Sequence, residues 1–273
     1  MLIPRILTAV VLLAVLIPVV TVGPVWLWGL ASLLLLLVAY AEWSRLVSGA
    51  LPGLSQVIAI SVSGLAIVAI LPSGRIPQPL LIAACFPAAL FWFLEAPRRL
   101  SAHRAGAGRC VLALWLLGAC WLALYDLRAA GPAVLVTAMA VVWVADIAAY
   151  FAGRAFGRRK LAPSISPGKS WEGAIAGMLA VAILGMVSAK FALLSGALPA
   201  VLLGHFGVPA AALILALLAG LSVVGDLFES LLKREAGVKD SGKLLPGHGG
   251  ALDRIDALIP TMPVVALLHQ LLR

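Results

Sequence analysis

Between Phe228 and Asp256 five bases, Lys233, Arg234, Lys239, Lys243 and Arg254, stand against five acids, Glu229, Glu235, Asp240, Asp253 and Asp256. Gly237, Gly242, Gly247, Gly249 and Gly250 are interspersed, and the run Pro246-Gly247-His248-Gly249-Gly250 leads up to Asp253. Carboxylates bind a divalent cation, bases take up the remaining charge of a polyphosphate, and glycines let the backbone approach both closely. A solvated connecting loop would explain the charge but not five glycines, nor their clustering around His248. A lipid anchor would be strongly positive, whereas this stretch is balanced.

The approach to this island is patterned as well. Ser222, Asp226, Glu229, Ser230 and Lys233 fall at i, i+4, i+7, i+8 and i+11, one stripe of a helix. Asp226 ends a long apolar run, and an ionisable group at membrane depth is costly and marks a site. The plainer alternative is a carboxylate that has reached the headgroups. Asp253 and Asp256 lie three apart at the expected start of the last helix; helix capping accounts for one of them better than for two. A second constellation occupies "ADIAAYFAGRAFGRRKLAPSISPGKSWEG". Asp146, Tyr150 and Arg154 keep helical spacing. Ser166-Pro167 predicts a helix start, with Ser as N-cap and Pro at the first position. Lys169 and Ser170 would then lie in the first turn, where free N–H groups favour an anion. Two near-matches to a P-loop fail. Gly237 to Lys243 is followed by Leu244 where Ser or Thr is needed, and Gly168-Lys169-Ser170 has Pro163 in place of the first glycine.

These residues must be held by a very apolar chain. Of its 273 residues 63% are hydrophobic and 11% charged, with mean hydropathy +1.11, whereas soluble domains carry roughly 25% charge. Most of the surface must face lipid, and irregular backbone is not tolerated there. The apolar stretches are long and continuous, so they predict helices, near 6–22, 25–42, 56–72, 79–95, 110–126, 132–152, 171–194, 208–227 and 257–272. The expected fold class is an all-α polytopic integral membrane protein of about nine transmembrane helices with a polar active site on the cytoplasmic side. Residues 1–130 form the N-terminal transmembrane helices. Residues 131–273 form the catalytic region, with cytoplasmic loops 153–170 and 228–256. With the N-terminus inside, all of the 20 basic residues except Arg75, Arg128, Lys190 and Arg273 fall on one side, as the positive-inside bias requires. The net charge of +9 therefore needs no nucleic-acid partner. Cys85, Cys110 and Cys120 lack any spacing suited to zinc and read as small buried hydrophobes.

The chain resembles the phosphatidate cytidylyltransferase (CDP-diacylglycerol synthase) family. The residues carrying the resemblance are Ser230, Lys233-Arg234, Lys239-Asp240, Pro246-Gly247-His248-Gly249-Gly250, Asp253-Arg254 and Asp256, together with "SPGKSWEG" and "DIAAYFAGRAFG". The resemblance covers roughly 143–260, with only hydropathy in common before it apart from a loose similarity in "RILTAVVL". It implies that CTP and phosphatidate give CDP-diacylglycerol and pyrophosphate with Mg²⁺, and with K⁺ beside it. It implies an integral, multi-pass protein of a bacterial-type inner membrane, a homodimer, with the site facing the cytoplasm. The expected catalytic residues are Asp226, Asp253, Lys239 and Arg254. Asp226, Asp253 and Asp256 are the expected metal ligands. Ser166, Lys169, Ser170, Lys233, Arg234, Asp240, His248, Gly249 and Gly250 are expected to bind substrate. Two competing readings are a CTP-dependent polyprenol or phytol kinase and an ion-coupled transporter. Against the transporter stand the lack of internal repeats and the crowding of polar residues into one end of the sequence.

Overall fold

The computed structural model describes residues 14, 16–106, 109–244 and 249–273. After a helical segment at 16–21 come α1 (Val25–Ser48), α2 (Leu54–Ile70), α3 (Gln78–Ser101), α4 (Arg109–Ala130) and α5 (Pro132–Phe156). A hairpin of β1 (Lys160–Ala162) and β2 (Ser166–Ser170) follows, then α6 (Trp171–Ser188), α7 (Leu198–Glu235), the single turn α8 (Leu252–Ile255) and α9 (Leu258–Leu271). Six of these, α1 and α3 to α7, are long and apolar enough to cross a membrane, which makes this a multi-pass membrane protein. The described residues thus hold six such helices where the hydropathy predicts nine spans. The first predicted span, 6–22, lies largely outside the described residues. The spans at 56–72 and 257–272 correspond to α2 and α9, which with 17 and 14 residues are shorter than those six. The predicted span at 208–227 is part of the 38-residue α7, which is broken at Gly207 (φ 71°, ψ 177°) ahead of Pro209.

Polar contacts sort the connections into two ends. At one, the Ala105 N–H donates to Glu235 Oε1 at 2.7 Å, His103 Nε2 lies 2.7 Å from Ser164 Oγ, and Arg234 Nε donates to the Ile165 carbonyl at 3.1 Å. At the other, Ile76 N–H donates to Asp126, Gln270 Nε2 to the Ile76 carbonyl, and Arg128 to the Gly23 carbonyl, while His269 Nε2 lies 3.0 Å from the Gly196 carbonyl. Three of the loops that the charge bias assigns to one side, around 103–105, 164–165 and 234–235, are therefore gathered together.

Three local expectations are corrected. Ser166 and Pro167 do not start a helix: they open β2, and α6 begins at Trp171 with Ser170 as its N-cap, the hydroxyl accepting from Gly173 N–H at 3.2 Å. The hairpin wins because antiparallel pairing of Lys160 with Ser170 and Ala162 with Ser166 satisfies backbone groups that an earlier helix would leave open. The loop expected from 228 begins after Glu235, since Phe228, Leu231 and Leu232 are buried and keep the helix going. Phe228 sits in an aromatic cluster, its ring centroid 6.2, 5.7 and 5.5 Å from those of Trp43, Phe91 and Trp92. Asp253 and Asp256 do not share the last helix; α8 holds the first, and Asp256 caps its end before α9.

The C-terminal half packs through small residues. In α6, a Cβ on Gly173 would lie 2.7 Å from the Ala149 carbonyl oxygen and one on Gly177 2.8 Å from that of Ala145. Two glycines four apart let the α5 and α6 backbones touch. The same contact brings Asp146 of α5 beside the hairpin.

Candidate active site

At the polar end, α5, the hairpin, α6 and α7 enclose a half-open cavity of about 540 Å³. Its lining includes Asp146, Tyr150 and Arg154 from α5, Lys160, Ser166, Gly168, Lys169 and Ser170 from the hairpin, and Asp226 from α7. Each contributor has a local reason to point inward. Asp146, Tyr150 and Arg154 lie four apart on α5, so they share a face, and the Arg154 guanidinium donates to the Tyr150 hydroxyl at 3.3 Å. The hairpin is tied to α6 by Glu172, whose carboxylate accepts from the N–H groups of Arg158 and Arg159 at 3.1 Å. Lys169 is thereby carried over α7, where its Nζ meets Asp226 Oδ2 at 2.5 Å. Ser230 Oγ donates to the other oxygen of Asp226 at 3.3 Å.

Asp256 approaches this group beside Gly225 of α7. A Cβ on Gly225 would stand 2.5 Å from the Asp256 carbonyl, so the chain after α8 lies directly on α7. Burial, followed by the Asp226 charge, holds the Asp256 carboxyl well above the usual carboxylate range; Asp146 adds to the push and Lys169 opposes it. Asp146, Asp226 and Asp256 thus come together electrostatically.

Asp253 stands in an adjoining network. Lys233 Nζ donates to its Oδ1 at 2.7 Å while also pairing with Glu229. Its Oδ2 accepts from Ser241 N–H at 2.9 Å, Ser241 Oγ at 3.0 Å and Gly250 N–H at 2.8 Å. Burial pushes this carboxyl up, but the Lys233 ammonium and the Gly250 N–H outweigh it and leave it at about 2. Lys233 is thus held between two carboxylates, and Arg234 is spent on the Ile165 carbonyl. The side chains of Lys239, Asp240 and Arg254 are exposed and make no hydrogen bond or ion pair with other described residues, although the Arg254 charge is felt at Asp146. Gly249 lies beside Asp253, with φ 81°. His248 lies outside the described residues.

The sequence reading gave no role to Lys160 or Glu172, and it passed over Glu42 in α1, whose buried carboxylate reaches the loop 241–252. A signal for Glu42 existed: it is a lone acid near the end of an apolar helix, the same cue that singled out Asp226.

The donor chemistry suits a hard cation. Among the described residues no three His, Cys, Asp or Glu side chains form a ready metal cage. Yet Asp146 and Asp226 line one cavity, and Asp256 follows the backbone that lies against Gly225 beside Asp226. These are all oxygen ligands, as Mg²⁺ prefers. A separate hollow of about 370 Å³ between α1, α2 and α4 is lined by groups such as Leu33, Ile60, Leu114 and Trp121; it offers nothing to hold a triphosphate.

Residues 3–272 match the cytidylyltransferase family. A phosphatidate cytidylyltransferase of Pseudomonas aeruginosa is 38% identical over 236 residues, covering 83% of this chain and 82% of that protein. One of Staphylococcus epidermidis is 31% identical over 272 residues, 97% of each. One of Haemophilus influenzae is 48% identical over 123 residues, 45% of this chain, and the match spans only 41% of that relative's length.

Proposed function

Because this chain belongs to the cytidylyltransferase family, we propose that it transfers the cytidylyl group of CTP to phosphatidate, giving CDP-diacylglycerol and pyrophosphate. The observation that carries this reading is the cavity in which Asp226 and Asp146 face Lys169, Lys160 and Arg154. Its volume, about 540 Å³, lies in the range of small-molecule sites. Acids for a cation and bases for phosphate charge meet there at the end of membrane helices, where a lipid headgroup arrives.

A phosphate oxygen of phosphatidate attacks the α-phosphorus of CTP. The bond from that phosphorus to the bridging oxygen of the β-phosphate breaks, and pyrophosphate leaves with the electron pair. The attacking oxygen is already anionic, so no strong general base is required. Catalysis rests on positioning and charge neutralisation. Lys169, Lys160 and Arg154 take phosphate charge within the cavity, and Ser166 and Ser170 lie on the hairpin that shapes it. Lys239 from the loop and Arg254 from α8, both exposed, take further charge of the triphosphate, with Asp240, His248, Gly249 and Gly250 forming the nucleotide side.

Asp226 and Asp256, with Asp146 across from them, would hold Mg²⁺. When bound, that ion neutralises charge on the triphosphate and the departing pyrophosphate. Asp253, expected as a further ligand, uses both oxygens on Lys233 and the loop in this structure; its reading as a ligand rests on the resemblance. We further infer nine passes, a cytoplasmic site and a homodimer. The inward orientation is supported by the concentration of Lys and Arg in the loops at the site's end.

The test is an assay of purified protein with phosphatidate, Mg²⁺ and CTP labelled in the cytosine. Labelled CDP-lipid and free pyrophosphate are expected. Labelled CDP with a newly phosphorylated lipid would instead make it a kinase.

A further inference from the structure

We infer that Glu42, in the N-terminal half of the chain, is a positioning residue that clamps the catalytic loop from beneath. Glu42 stands near the end of α1, 7% exposed, between Tyr40 (2%), Trp43 (1%) and Ser44 (4%). Its carboxylate accepts three hydrogen bonds from residues about two hundred positions away. Oε1 takes the Ala251 N–H at 3.1 Å, and Oε2 takes the Leu252 N–H at 2.8 Å and the Ser241 hydroxyl at 3.0 Å. Among the described residues it has no cationic partner. A buried carboxylate of this kind is tolerated only while its donors stay in place. Movement of the loop would strand the charge, so the burial itself resists that movement.

The loop is shaped for this contact. A Cβ on Gly242 would overlap Glu42 Oε1, and one on Gly250 would overlap Ser241 Oγ and both Glu42 oxygens. Two of the island's five glycines therefore give the Glu42 carboxylate room, a role separate from approaching a phosphate. Ser241 links the two acids: its hydroxyl lies 3.0 Å from both Glu42 Oε2 and Asp253 Oδ2. Between them Glu42 and Asp253 take the N–H groups of Ser241, Gly250, Ala251 and Leu252. That fixes Ser241 and residues 250–252, and with them the direction in which Asp253 and Arg254 leave the loop. Glu42 does not line the cavity containing Asp226 and Lys169. It acts through the loop. α1 is in turn held to α7 by the contact of Trp43 with Phe228, so the clamp ties the N-terminal helices to the site.

This inference rests on the cytidylyl-transfer reading for its kinetic arm only. The experiment compares wild type, Glu42→Gln and Gly242→Ala as purified full-length proteins. Gln keeps the shape but turns an NH₂ toward one of the donors; Gly242→Ala keeps the carboxylate and displaces it. Each variant should speed amide hydrogen exchange within 241–255 by about tenfold and leave exchange in α5 and α6 at the wild-type rate. Each should lower kcat by about tenfold to a hundredfold while the KM for CTP stays within about threefold, as expected when reacting groups are misplaced rather than lost. Unchanged exchange at 241–255 in both variants would overturn the clamp, as would loosening that spreads equally into α5 and α6, or an undiminished kcat with a faster-exchanging loop. If wild type forms no CDP-diacylglycerol, the functional reading fails, and the exchange data alone then decide whether the clamp exists.

Discussion

Asp226 and Asp253 look alike in the sequence, yet the fold gives them different work. Asp226 faces a cavity, with Lys169 on one oxygen and Ser230 on the other. Asp226→Asn keeps the shape and the Ser230 contact, and Lys169, 23% exposed, can turn to water. Turnover to CDP-diacylglycerol should fall at least about 100-fold with little change in melting temperature, measured by lipid-product assay and thermal denaturation in the same detergent. Asp253→Asn should abolish turnover too, but at a structural cost. The amide must take Lys233, Ser241 and Gly250 with one acceptor fewer, a loss of roughly 1–3 kcal/mol, so its melting temperature should drop where that of the Asp226 variant does not. Lys239 is the reverse case. It is exposed and uncommitted, so Lys239→Ala should leave stability within about 0.5 kcal/mol and raise the KM for CTP. An unchanged KM would remove its phosphate role.

The contact between α5 and α6 decides where Asp146 stands relative to Lys169. It depends on Gly177, where a Cβ would meet the Ala145 carbonyl oxygen at 2.8 Å. Ala has the better helix propensity by about 1 kcal/mol, so Gly177→Ala would stabilise a helix with free space. Here overpacking costs about 1–3 kcal/mol, and the melting temperature should fall, with activity falling as α5 is pushed from the hairpin. Gly204→Ala, with nothing within 4 Å of its Cβ, is the control and should hold or raise the melting temperature. The hairpin is the element that hydropathy did not reveal. Ser-Pro is a sound helix start locally, but strand pairing with Lys160–Ala162 claims those backbone groups first, and Ser170 inherits the cap.

At the scale of the molecule the described residues of the candidate site lie at one end of an apolar bundle, and two predictions belong to this scale. Chelation of divalent cations should stop turnover and Mg²⁺ should restore it, and replacing K⁺ by Na⁺ should slow the Mg²⁺-restored rate; persistence of full activity in chelator would remove the metal assignment. In intact cells carrying a background without Cys85, Cys110 and Cys120, a cysteine at Lys239 should resist a membrane-impermeant thiol reagent. One at Arg75 should react with it. The opposite pattern would place the site outside.

Hydropathy, the bias of Lys and Arg, and the spacing of Ser222 to Lys233 are properties that accumulate along the chain. The sequence alone therefore determined a helical membrane protein, the two-ended arrangement of its loops and the candidate acids and bases. Pairing is not such a property. That Lys169 meets Asp226, that Lys233 is enclosed by Glu229 and Asp253, and that Glu42 holds a loop 199 to 210 residues away depend on which helix faces touch. Apolar faces in lipid carry no label for their partners; close packing through small residues and the need to satisfy every buried carboxylate choose among them.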